Sequence, residues 1–196
     1  MFNMFIMINW TGLLLVLCSS LTPVLCCDWL RHYGHLSNTS LTLVQRMGGQ
    51  LTEEMSPVYF PSKLYKRIKN DSVESQLVFI RTSLELIAGL YNHDNRSSVA
   101  WDTDTTERFL MTIDSQTDGL NSCVPTNRQN IKLKKYFRRL ETSTLYRTGG
   151  SAASWELIRK ESKRHLEMLD VLVGSINDSS AAAAAGRRRR SAATQK

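Results

Sequence analysis

Beyond Leu36, apolar residues recur at steps of three and four, and nowhere do they alternate with polar ones in the two-residue rhythm of a strand. Leu41, Val44, Met47 and Leu51 predict a first helix that ends around Gly48-Gly49. A connection from about Gln50 to Asn70 follows, carrying Pro57, Phe60-Pro61 and Leu64-Tyr65; it is too long for a simple turn and should cross a bundle. In the second helix Val73, Leu77, Ile80, Leu84, Ile87 and Tyr91 form one apolar face, with Asp71 as cap and Glu74 completing a capping box. The third begins near Asp102 or Asp104, where Asp104 and Glu107 form another such box, and should bury Phe109, Leu110, Ile113 and Leu120. The fourth spans roughly 130–147 and stops at Gly149-Gly150. The last has the strongest pattern: Trp155, Ile158, Ser162, His165, Leu169, Leu172 and Ile176, widened by Leu166 and Val173. The fold class is therefore all-α, with about five main helices.

The first 26 residues change the picture, because they carry no charge and centre on Gly12-Leu13-Leu14-Leu15-Val16-Leu17, followed by Ser19-Ser20 and Pro23. That is the layout of a secretory signal peptide, and Val24 and Cys26 are small enough to precede a cut between Cys26 and Cys27. The run lacks an N-terminal Lys or Arg, and a signal anchor is the alternative, although Asn9, the serines and Pro23 interrupt a full membrane span. Cleavage leaves a secreted, extracellular chain of 170 residues, enough for one domain, with no membrane insertion afterwards.

Cys18 and Cys26 leave with the signal, so Cys27 and Cys123 remain for an oxidising compartment and should pair; two free thiols are the alternative. The bond would close a loop of nearly one hundred residues, contributing about 4 to 5 kcal/mol on chain-entropy grounds. Four sequons, at Asn38, Asn70, Asn95 and Asn177, agree with export. Asn95 is the best acceptor, since the segment 91–98 is polar and turn-rich, whereas Asn38 falls within reach of a helix; Asn121-Ser122-Cys123 is a poor one beside the disulfide.

Catalysis finds no support in the residue pattern. His32, His35, His93 and His165 lack zinc-protease spacing, no serine sits in a nucleophile elbow, and phosphate-cradling glycine loops are missing. Disulfide formation would take from His32 and His35 the thiolate a metal site needs, and His165, on an apolar face, reads as a hydrogen-bonded core residue. No cofactor or metal is expected. Net charge is +7. Arg159, Lys160, Lys163 and Arg164 place like charges one turn apart on the last helix, either as an ordinary solvated face or as a cationic surface for an acidic partner.

Several short motifs stand in a meaningful order: Cys27-Asp28, Phe60-Pro61, Ala100-Trp101-Asp102 through Cys123-Val124, Lys135-Tyr136-Phe137 with Arg139, Leu145-Tyr146, and Ser154-Trp155-Glu156 with Arg159 and Glu161. Together they resemble the type I interferons over essentially the whole mature chain. The resemblance implies a helical cytokine bundle over residues 27–178, up-up-down-down with a long crossing loop. In that family one disulfide joins the positions of Cys27 and Cys123. A second is missing here, since Ala153 stands at one of its positions and the connection after Met47 is shorter and has no Cys, as in the two-cysteine fish-type (teleost) members.

Such cytokines bridge the two chains of a type I interferon receptor, of the class II cytokine kind, and induce JAK/STAT-dependent antiviral gene expression. By resemblance, one chain would meet the crossing loop and Arg159, Lys160, Lys163, Arg164 and Glu167 of the last helix. The other would meet the opposite face, where Lys134 and Lys135 match basic contact positions, while Tyr136 and Phe137 read as packing. The rivals are another secreted four-helix cytokine, or a polyanion-binding protein using Lys132, Lys134, Lys135, Arg138 and Arg139 with the arginine run. No nucleic acid is expected for a secreted chain. Residues 179–196, with Ala181 to Ala185 and then Arg187, Arg188, Arg189 and Arg190, read as a disordered basic tail. It would bind anionic cell-surface glycans; a nuclear import signal and a furin-type cut after Arg190 are the alternatives.

Overall fold

A computed structural model describes residues 27–92 and 94–194, leaving aside the side chains at 94–95, 183–184 and 186–194. The signal segment and His93 lie outside the described residues, as do the side chains of Asn95 and of Arg187 to Arg190. The helices are α1 (Trp29–Arg46), α2 (Ser62–Ile68), α3 (Val73–Leu90), α4 (Thr103–Asn121), α5 (Ile131–Glu141) and α6 (Ala152–Thr194), with a 3-10 turn at Asp94–Ser98 and a π-helical turn at Thr142–Tyr146.

Helix directions follow from a few contacts. The Cys27–Cys123 disulfide ties the start of α1 to the end of α4, and Asp102 N–H donates to the Met47 carbonyl (2.7 Å) where α1 ends and α4 begins. Hence α1 and α4 are antiparallel. Ser37 donates to Asp170 (3.0 Å) while Arg159 reaches the Val44 and Gln45 carbonyls, so α6 also runs against α1. A short link turns α3 back into α4, on which it packs. The result is the up-up-down-down bundle of a helical cytokine. Because α1 and α3 are parallel, the chain between them must travel the length of the bundle, which is why that connection is long.

Several expectations shift. α1 starts at Trp29, well before the first periodic residue, because Ser37 and Ser40 face inward at helical spacing and are satisfied there: Ser37 by Asp170, Ser40 by a hydrogen bond from Gln116 Nε2 (2.9 Å). Buried serines break an apolar pattern without breaking a helix. Ser72, not Asp71, caps α3, accepting from Ser75 N–H (3.3 Å), and Glu74 pairs with Arg128 (2.6 Å) instead of folding back to the cap. Likewise Asp102 caps α4 through Thr105 N–H (2.7 Å); the Thr105 hydroxyl and then its N–H hold the Asp102 carboxyl below the usual range, and Asp104 instead faces Arg108. α2 interrupts the crossing connection, and the fourth helix ends at Glu141 in the π turn before Gly149 and Gly150, both at positive φ. The backbone of the last helix is helical from Ala152 to Thr194, Ala181 to Ala185 being the strongest helix formers. Asn38 and Asn177 lie exposed on helices and Asn70 exposed in the turn before α3.

The core joins all the long helices. At one end Tyr91, Trp101, Phe109 and Trp155 pack ring against ring; further along, Phe60, Tyr65, Tyr136 and Phe137 surround His165. Gly48 is required at the first end, because a Cβ there would lie 2.7 Å from the Trp101 ring and 3.2 Å from the Arg159 guanidinium carbon. Arg81, in the apolar run of α3, is also fully buried and donates to the carbonyls of Pro125, Thr126 and Arg128, fixing the turn into α5.

Candidate functional site

The charged residues of α6 separate into different roles once neighbours are visible. Arg159 is no surface contact: it is fully buried. Its Nε donates to Glu156 (2.8 Å), and its other nitrogens donate to the carbonyls of Val44 (3.4 Å), Gln45 (3.2 Å), Gly49 (2.7 Å) and Gln50 (3.3 Å). A planar guanidinium suits this work, since the end of α1 leaves carbonyls without intrahelical partners. Glu156 also accepts from Trp101 Nε1 (2.6 Å), so one ion pair joins α6, the end of α1 and the start of α4. Exposed like charges are also not what the rest of the face presents. Lys163 pairs with Glu167 one turn on, and Arg164 lies 4.0 Å from Glu161.

Lys160, Lys163 and Arg164 remain at the surface, and two of them grip the crossing connection. Lys160 Nζ donates to the Glu54 carbonyl (2.8 Å), and the Arg164 guanidinium sits 4.1 Å above the Phe60 ring. With Arg159 holding residues 49 and 50 from the buried side, the connection is attached to α6 at three points along the helix. Loop and helix therefore form one continuous surface, from which Met55 and Tyr59 project almost fully exposed. Sequence reading did not single out Met55 or Tyr59; their signal was large apolar side chains in a segment without helical periodicity.

Beneath this surface, Glu161 is 3 % exposed and accepts from Tyr136 Oη (3.0 Å); burial raises its pKa, against the opposing effects of that hydrogen bond and of Arg164. His165 next to it shares a 2.7 Å hydrogen bond with Tyr65 Oη, either group supplying the proton. Burial, assisted by Arg164, pushes the His165 pKa down to about 3, so the ring stays neutral in the folded protein while the unfolded chain takes up a proton near pH 6.5. The unfolded state thus binds more protons between those values, and stability falls as the pH drops through that window. Wild-type protein should lose about 2 kcal/mol between pH 7 and pH 5 from this residue. Glu161 acts with the opposite sign, so the difference in urea stability between wild type and H165F isolates the histidine; parallel pH profiles for the two would contradict the assignment.

The second expected patch is divided. Lys134 lines a groove with Glu85, Leu86 and Gly89 of α3, whereas Lys135 lines a different groove with the crossing connection. Consecutive residues on a helix point about 100° apart, so the two do not share a face. Tyr136 and Phe137 are buried packing residues. Among the described residues, no three His, Cys, Asp or Glu side chains converge as metal ligands, and no helix is long and apolar enough to cross a membrane.

Bundle topology and the long crossing connection held against α6 together define a helical cytokine. An interferon alpha/beta domain family model matches residues 30–176. The chain is 40 % identical over 175 residues to Interferon a3 of Oncorhynchus mykiss, covering 88 % of this chain and 99 % of that one, and 31 % identical over 98 residues to Interferon omega-1 of Equus caballus, covering 43 % and 48 %. Among solved structures it is similar to zebrafish interferon 1, with a TM-score of 0.67, 31 % identity, and coverage of 76 % of this chain and 99 % of that one. The chain belongs to the type I interferon family, as a fish-type member. Proteins of this family are cytokines rather than enzymes.

Proposed function

We propose that this chain is secreted and acts by bridging two different chains of a cell-surface class II cytokine receptor, thereby inducing JAK/STAT-dependent antiviral transcription. The observation that carries the reading is the composite surface of α6 and the crossing connection. Cations at 160, 163 and 164 lie beside an exposed Met55 and Tyr59, on a loop already held in place by the helix. Preorganised loops lose less entropy on binding, exposed aromatics supply contact area, and surface cations steer an acidic partner. Family membership supports export through the segment 1–26, a mature start at Cys27, and receptor recognition. Lys134 and Lys135, on diverging sides of α5, are proposed for the second receptor chain, with Lys134 central because it faces the groove with α3. The arginine run at 187–190 is proposed as a glycan-binding extension.

Purified protein spanning residues 27–196 should induce an interferon-responsive reporter in cells of the source species. Charge reversal at Arg164 removes both a donor and the stack on Phe60, yet leaves the helix backbone untouched. R164E should weaken receptor binding about tenfold or more, with far-UV circular dichroism unchanged. Unaltered affinity in a folded R164E protein would remove Arg164 from the interface, and a folded, disulfide-bonded wild type that induces nothing would overturn the cytokine reading itself.

A further inference from the structure

The crossing connection and α5 flank a surface groove of about 670 Å³. One wall carries Pro57, Tyr59 and Pro61, and the other carries Lys132, Lys135 and Arg139. Tyr59 is 95 % exposed, so its ring is held out with none of the described residues covering it. The three cations recur at steps of three and four and therefore form a row along one face of α5, rising about 4.5 and 6 Å between successive members. Among the described residues none of them has a carboxylate partner; Glu161 on α6 is engaged by Tyr136 and Arg164, and Glu74 on α3 by Arg128.

We infer that this groove binds a sulfated glycan chain, separately from the arginine run at 187–190. A linear row of unpaired point charges along an open trough matches a polymer that carries anionic groups at repeated intervals. An exposed aromatic ring framed by two prolines offers a flat apolar face on which the C–H side of a pyranose ring can stack. An enclosed pocket for a single anion is not present in this groove, and the cations are spread along it rather than converging on one point. The proposal rests on the secreted-cytokine reading only for where such a glycan would be met, not for the binding itself.

The test uses a size-defined heparin octasaccharide and full-length protein in which Arg187 to Arg190 are each replaced by Gln, so that the run at the C-terminus contributes nothing. In that background two variants remove the same charge from the same helix. K132Q/R139Q removes two of the three cations of the groove wall, whereas K134Q/R138Q changes the side facing α3. At 150 mM salt the first should weaken octasaccharide binding about tenfold and the second less than about threefold. Y59A should weaken binding while leaving its salt dependence unchanged, because stacking releases no counterions. Equal losses in the two charge variants would reduce the effect to net charge and overturn the groove. So would no binding by the parent protein. Equally tight binding to a DNA oligonucleotide or to phosphatidylserine vesicles, lost in parallel by the same variant, would overturn the assignment to a sulfated glycan.

Discussion

Replacing Arg159 by Ala should lower the unfolding free energy by about 3 to 5 kcal/mol, the usual cost of removing one member of a buried, hydrogen-bonded ion pair. The guanidinium is fully buried and serves Glu156 and four backbone carbonyls. Without it, the carbonyls at the end of α1 and in the following bend lose their donors, and Glu156 is left with Trp101 as its hydrogen-bond donor. For a domain of this size the melting temperature should fall by roughly 10 °C. R159K should recover less than half of the loss, because an ammonium cannot divide itself among carbonyls on two sides as a planar fork does. Urea denaturation followed by tryptophan fluorescence reports on this directly, since Trp101 and Trp155 pack against each other close to Glu156. Wild-type stability in R159A, combined with lost receptor binding, would return Arg159 to the interface and refute the structural role.

The second large effect is at the other end of the bundle. C27S/C123S should lower stability by about 4 kcal/mol, because the bond spans a sequence separation of 96 and restricts the unfolded chain accordingly. Its removal should also loosen the first turn of α1, where Leu30 N–H donates to the Cys27 carbonyl and Trp29 packs on Gly119. A change below about 1 kcal/mol in the double variant would show that tertiary packing alone holds α1 on α4. The two anchors pin opposite ends of α1: the disulfide its start, Arg159 its end. Being distant, their losses should add, and a triple variant lacking both should be unfolded or nearly so, since whole domains of this kind are stable by about 5 to 15 kcal/mol.

These anchors differ in how legible they are. Cysteine count and compartment point to Cys27 and Cys123 from the sequence alone, because few cysteines remain to pair once the signal is set aside. Arg159 read as one of a row of surface cations, since a charge on a helix is ordinarily solvated and nothing local marks it as buried. Its partners are carbonyls more than one hundred residues away in sequence, which a helical periodicity cannot register. The same limit explains the start of α1: Ser37 and Ser40 look like surface positions until Asp170 and Gln116 are placed opposite them. It also explains Lys134 and Lys135, adjacent in sequence and divided between grooves by the turn of the helix.

The sequence by itself determined the all-helical class, the apolar faces of α3, α4 and α6, the disulfide and the long connection, because each is written in local periodicity, in glycine and proline placement, or in a count of cysteines. Motif order from Cys27-Asp28 to Ser154-Trp155-Glu156 was enough to indicate the family. Only the tertiary structure decided which cations hold the fold and which stay at the surface. That division depends on what lies across the helix from each side chain, and burial beside distant carbonyls turns one arginine into a scaffold while Arg164, five residues on, remains half exposed above Phe60.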